Sequence, residues 1–205
     1  MSAINRKFFY DFVRLNLFGG SLGGKQVEGM DAILDYWEKH YARKDDRWLA
    51  YILGTAFHET DKKMQPIREY GSIAYFDKRY GPPPVGKNPG LARTLGNTQA
   101  GDGARFCGRG FVQLTGRRNY TDWDRRLGNA GLVTNPELCQ GLDAATRILI
   151  EGSVLGTFTG RKLEQYFHGA TADWRGARRI INGIDKADLI AGHAKQFYAA
   201  ISYTV

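Results

Sequence analysis

Two glutamates ten positions apart are the first residues whose types could do chemistry. Glu59 stands in His58-Glu59-Thr60-Asp61 and Glu69 in Arg68-Glu69-Tyr70-Gly71. A His-Glu pair serves a helical zinc site only with a second histidine at position 62, and Lys62 occupies that place. Taken singly, each glutamate reads as a solvated surface charge. Taken as a pair, they are what glycosidic bond cleavage requires. One carboxyl protonates the leaving oxygen, and the other activates water or attacks the sugar carbon. Sequence spacing does not set their separation in space.

A third segment adds groups of another kind. Residues 105–120 read RFCGRGFVQLTGRRNY, with glycines that let backbone pass close to a ligand or another segment. Among them stand Gln113, Thr115, Asn119 and Tyr120, which offer donors, acceptors and a ring suited to sugar hydroxyls and sugar faces. The plain alternative is a glycine-rich turn. A phosphate-binding loop is excluded because no Gly-Lys-Ser/Thr follows. An RNA-binding strand of the RRM sort requires alternating strands and helices, which the rest of the chain does not offer.

The elements that must carry these residues are mostly helical. Val27, Met30, Leu34, Trp37 and Tyr41 recur at steps of three and four, so the spacing predicts a helix over 27–41. Leu49, Ile52, Leu53, Ala56 and Phe57 form a second apolar stripe that runs into His58-Glu59 and places Glu59 at its edge. There, partial desolvation would help a carboxyl keep its proton. Residues 79–103 are rich in Gly, Pro and Asn without a period, and predict a long loop. Asp143 and Asp185 are predicted to cap two further helices. Strand-like alternation is confined to Ile73–Phe76 and Phe111–Leu114, enough for a small β element. No repeat or linker divides the chain, so residues 1–205 are expected to form one catalytic domain.

Composition bounds the class. The chain has 205 residues, 42% hydrophobic and 24% charged, which suits a globular protein and excludes disorder or a disulfide scaffold. No apolar run approaches the roughly 20 residues of a membrane span, so no membrane insertion is expected. The N-terminal apolar cluster, broken by Arg6, Lys7, Asp11 and Arg14, does not resemble a secretory signal. Cytoplasmic synthesis without a signal peptide is therefore expected. The net charge of +8 favours an anionic partner and divides as +4 in each half, with no basic arm of the kind that reads nucleic acid. Cys107 and Cys139 have neither metal-ligand nor redox spacing and read as free, partly buried thiols. No metal or cofactor is expected.

Together, His58-Glu59-Thr60, Glu69, Gly-Asp-Gly at 101–103, the 106–120 run and Arg179-Ile-Ile-Asn182-Gly resemble the family 19 glycoside hydrolases. These comprise chitinases and compact lysozyme-like endolysins of bacteria and phages. The resemblance implies a mainly α (α+β), lysozyme-like two-lobed fold with a small β element and a central cleft. It implies Glu59 as general acid and Glu69 as general base of an inverting reaction, with the two carboxyls roughly 6.5–9.5 Å apart. It further implies that Gln113, Thr115, Asn119, Tyr120 and Asn182 line the cleft, with His58 and Arg109 also in the substrate site. The short gap between the glutamates resembles the compact bacterial and phage forms more than plant chitinases. The expected activity is hydrolysis of β-1,4-linked N-acetylated amino-sugar polymers, peptidoglycan first and chitin as the alternative. The enzyme would act as a monomer on the wall, after release or export by another system. A non-catalytic wall-binding protein is the alternative from another class.

Overall fold

The computed structural model describes residues 4–202. Among them are nine α-helices and two small antiparallel sheets. In chain order these are α1 (Arg6–Asn16), α2 (Gly24–Tyr41), α3 (Asp46–Glu59), β1 (Ile67–Arg68), α4 (Ile73–Tyr80), α5 (Pro89–Leu95), α6 (Asp102–Arg105), β2 (Arg109–Gly110), α7 (Arg117–Arg126), α8 (Leu142–Leu155), β3 (Phe167–His168), β4 (Thr171–Ala172) and α9 (Ala187–Ile201). The mainly α class expected from the sequence is the class observed. The chain divides into two compact units, one of residues 1–65 with 146–205, the other of residues 66–145.

In the first unit, α2 buries Met30, Leu34 and Trp37 of the predicted stripe together with Ile33, while Val27 and Tyr41 are half-buried. Helix α3 goes further than a single stripe. Asp45 caps it by accepting from the Arg47 amide at 3.0 Å. From Trp48 to Phe57 every residue is buried, so the helix is enclosed on all sides. It packs on α9 with Phe57 edge-on to Phe197, ring centroids 5.9 Å apart. A Cβ on Gly54 would stand 2.8 Å from the Ala194 Cα, so the two helices meet backbone to backbone. Helix α8 joins the same unit through Glu151, which accepts from the Tyr36 hydroxyl at 2.6 Å.

In the second unit, β1 pairs antiparallel with β2, Ile67 opposite Gly110 and Arg68 opposite Arg109. Phe76, Tyr80 and Cys107 form a core against which Leu91 and Leu95 pack. Asp102, in the Gly-Asp-Gly sequence, is buried and accepts from the Thr98 and Gln99 amides at 2.9 and 3.0 Å. It also pairs with the Arg117 guanidinium. Burial pushes its carboxyl up, but Arg117 and the two amides outweigh that and hold it below the ordinary carboxylate range.

Several local expectations are corrected. Ile73–Phe76 is the start of α4, not a strand, because Ser72 caps a helix there by accepting from the Tyr75 amide. The 79–103 stretch is not continuous loop but contains α5, started by Asn88 and Pro89 and ended by Gly96 in the left-handed region. Phe111–Leu114 is a turn closed by a bridge between Arg109 and Leu114. Helix α8 begins at Leu142, with Asp143 already in its first turn. The cap position of α9 is Lys186, not Asp185. Both cysteines are free and fully buried, and burial pushes the Cys139 thiol up to about 12. Among the described residues no helix is long and apolar enough to cross a membrane, and no cluster of acidic, His or Cys side chains suits a metal ion.

The contact at Gly54 gives a test. Replacing a helical glycine by alanine ordinarily stabilises by up to about 1 kcal/mol. Overpacking against a rigid backbone costs about 1–3 kcal/mol. Gly54→Ala is expected to lower the unfolding free energy measured by chemical denaturation, and a stabilised variant would show that α3 and α9 have room between them.

Candidate active site

Glu59 is the last residue of α3, held at the end of a helix whose preceding turns are buried. Its side chain is 18% exposed, and Oε1 accepts from Arg178 Nη1 at 2.5 Å. The Arg178 side chain is only 5% exposed. It rises from the 3-10 turn Gly176–Ile180, and its Nε donates to the Asp185 carbonyl at 3.1 Å. Desolvating a guanidinium costs several kcal/mol unless an anion faces it. Glu59 is that anion, so the pair fixes the carboxylate while leaving Oε2 without a hydrogen bond among the described residues. Just beyond, the buried Thr60 hydroxyl donates to the Ala56 carbonyl at 2.7 Å and accepts from the Met64 amide at 3.0 Å. The chain leaving α3 is therefore tied back to it.

Two further predicted residues belong to this unit. His58 is half-buried, its ring centroid 6.4 Å from that of His193. Burial, aided by the charges of Arg178 and Lys186, holds its imidazole below the ordinary value despite the opposing pull of Glu59 and Asp185. Asn182 is exposed, and its Oδ1 accepts from the Gly183 amide at 2.9 Å.

Glu69 sits in the second unit, directly after β1. Its amide donates to the Gly108 carbonyl at 2.8 Å, and its Oε2 accepts from the Gly108 amide at 3.2 Å. Its Oε1 accepts from the Tyr80 hydroxyl at 2.8 Å. A Cβ at Gly108 would lie 2.9 Å from Gln113 Oε1 and 3.2 Å from Glu69 Oε2, so a larger residue there would displace both side-chain ends. Gln113 itself is left-handed, with φ 55°, a conformation uncommon outside glycine and one that persists where surrounding contacts enforce it. Those contacts are its side-chain amide, which donates to the Ile67 and Gly110 carbonyls at 3.2 and 3.1 Å. The Thr115 hydroxyl donates to the Gln113 carbonyl at 2.8 Å, and Asn119 Nδ2 to the Thr115 carbonyl at 2.7 Å. Gln113, Thr115 and Asn119 are thus joined by successive hydrogen bonds and tied through Ile67 and Gly110 to the strand pair that Glu69 follows.

Arg109 and Tyr120, expected in the substrate site, are instead buried. Tyr120 is 0% exposed and its hydroxyl donates to the Cys107 carbonyl at 2.9 Å. Arg109 is 3% exposed and donates to Tyr120, to the carbonyls of Arg105 and Cys107, and to Glu137 at 2.7 Å. With these groups spent inside the protein, neither side chain is placed to hold a sugar.

No protein-family model matches this sequence, and no curated protein matches it. Solved structures do. Chitinase C from Streptomyces griseus HUT6037 matches at 20% identity with a TM-score of 0.59, over 98% of this chain and 94% of that one. A class IV family GH19 chitinase from Zea mays matches at 17% identity with a TM-score of 0.56, over 95% of this chain and 93% of that one. The fold is that of the family 19 glycoside hydrolases. It extends over nearly the whole chain, both units included.

Within this family 19 fold, the residue that sequence reasoning missed is Arg178. It lies four positions before Asn182, beside a run singled out for its asparagine, but its partner Glu59 is 119 positions away. Only its place in an arginine-rich segment could have drawn attention to it. The scaffold role of Arg109 is testable. Arg109→Met removes the donor to the Arg105 and Cys107 carbonyls and to the Tyr120 hydroxyl, and buried acceptors left without a donor cost about 1–3 kcal/mol, so the variant is expected to have a lower melting temperature. An unchanged melting temperature would restore Arg109 to a surface, ligand-facing role.

Proposed function

We propose that this protein is an inverting glycoside hydrolase that cleaves β-1,4 linkages in polymers of N-acetylated amino sugars. The observation that carries the reading is the Glu59 carboxylate, held at the end of buried α3 by the equally buried Arg178, in a fold resembling chitinases. Glu59 is the general acid: its resting carboxylate is paired with Arg178 through Oε1, and Oε2, the oxygen without a hydrogen bond among the described residues, is the one that takes up a proton and passes it to the glycosidic oxygen. Glu69 is the general base. It accepts a proton from a water whose oxygen bonds to the anomeric carbon as the leaving sugar departs, which inverts that carbon. The acceptor oxygens of Thr115 and Asn119 are suited to orient the water, and the Asn182 amide to hold the sugar. The base's proton returns to solvent and the acid is reprotonated, so each turnover consumes one water.

Peptidoglycan is the favoured substrate, since a net charge of +8 draws the protein to an anionic wall and weakens in its effect as salt rises. Chitin is the second reading, favoured by the chitinases that the fold resembles. The protein acts as a monomer and reaches the wall after release or export by another system.

Incubation with purified peptidoglycan and with a soluble chitin oligomer, followed by mass spectrometry of the new ends, tests the reading. Water-added reducing ends are expected, muramic acid ends marking a muramidase and glucosamine ends a glucosaminidase. 1,6-Anhydro ends would mean a lytic transglycosylase. Glu59→Gln is expected to reduce turnover by about 10²–10⁴-fold with the fold retained. Undiminished function in that variant would mean a wall-binding protein without catalysis.

A further inference from the structure

The positive charge divides evenly between the halves of the sequence but not along the second unit. Residues 68–118 hold nine Lys and Arg against three Asp and Glu. Part of that excess surrounds one surface pocket of about 500 Å³, lined by Tyr75, Lys78, Arg79, Lys87, Asn88 and Leu91. Three of its six lining residues are cations and none is an acid.

The cations are arranged by the fold rather than scattered. The Lys87 amide donates to the Lys78 carbonyl at 3.0 Å, which brings the segment before α5 alongside α4 and both lysines to one rim. Neither lysine forms an ion pair among the described residues. The Arg79 guanidinium lies 5.1 Å from the Tyr80 ring centroid and 5.8 Å from that of Tyr75, and donates to the Tyr75 hydroxyl. The Tyr75 hydroxyl and two aromatic faces hold it, with the Glu69 charge a smaller attraction. Like charges gathered in a concave site repel one another until an anion enters, so the pocket is complementary to an oxyanion. Leu91 and Tyr75 supply an apolar wall.

The pocket is also coupled to Glu69. Tyr80 carries Arg79 over its ring and donates its hydroxyl to the Glu69 carboxylate. Chitin has no ionised group to offer such a site, whereas the peptides of peptidoglycan carry free carboxylates. We propose that the α4–α5 pocket is an exosite for a carboxylate substituent of the glycan chain engaged at Glu69, and that it selects peptidoglycan over chitin. This rests on the hydrolase reading for Glu69.

The test is the double variant Lys78→Gln/Lys87→Gln, which removes two exposed charges that support no contact in the fold. Its kcat/KM on soluble, uncross-linked peptidoglycan strands is expected to fall about tenfold, while that on chitohexaose stays within about twofold. Strands with amidated peptide carboxylates should bring the wild type down to the variant's rate. Equal losses on both substrates, or no loss on peptidoglycan, would overturn the proposal. So would a loss seen only on walls bearing phosphate polymers and unaffected by amidation. If the wild type cleaves neither substrate, the hydrolase reading fails separately, and calorimetric titration with a soluble muropeptide decides the pocket. A Kd about tenfold weaker in the double variant supports the exosite, and an unchanged Kd rejects it.

Discussion

A guanidinium taken out of water must meet an anion, and the first unit is built so that Arg178 meets Glu59. Enclosure of α3 from Trp48 to Phe57 anchors the helix whose last residue is Glu59. Close approach of α9, permitted by Gly54, secures the opposite side of that helix. The 3-10 turn bearing Arg178 then meets the carboxylate from a segment distant in sequence. Packing determines where Glu59 is, and the ion pair occupies one of its two oxygens.

The second unit solves the same problem with less apolar mass. Glu69 follows a two-residue strand, and such a short element positions little by itself. Its placement comes from hydrogen bonds: both Gly108 backbone groups, the Tyr80 hydroxyl, and the left-handed turn at Gln113. Behind them, Asp102 with Arg117 and Arg109 with Glu137 and Tyr120 neutralise buried or half-buried charge and lock the glycine-rich run in shape. Much of that run is therefore framework.

This division explains what could be read in advance. Long helices such as α2 announce themselves by period, because neither a strand nor a loop makes apolar residues recur every three to four positions over four turns. Helix α5 has only seven residues, too few for a period, although Asn88-Pro89 and Gly96 carry start and stop signals inside an otherwise loop-like composition. Ile73–Phe76 alternates like a strand, yet the Ser72 cap and packing of Phe76 into the core win. The two glutamates were singled out by motif and resemblance, and each is found held by specific partners, Glu59 by Arg178 and Glu69 by Gly108 and Tyr80. Arg109 and Tyr120 were legible as polar groups near glycines, but whether a polar group faces a ligand or the interior is decided by tertiary contacts that spacing does not contain. For the same reason Arg178 was invisible.

The most direct measurement is a double-mutant cycle on unfolding free energy with Glu59→Gln, Arg178→Met and both together. If burial makes the two residues a single unit, each single change leaves the other partner uncompensated, and the double variant should be more stable than the sum of the two predicts, by about 1–3 kcal/mol. Additivity within about 0.5 kcal/mol would mean that Arg178 does not hold Glu59, and that something else sets the carboxylate in place.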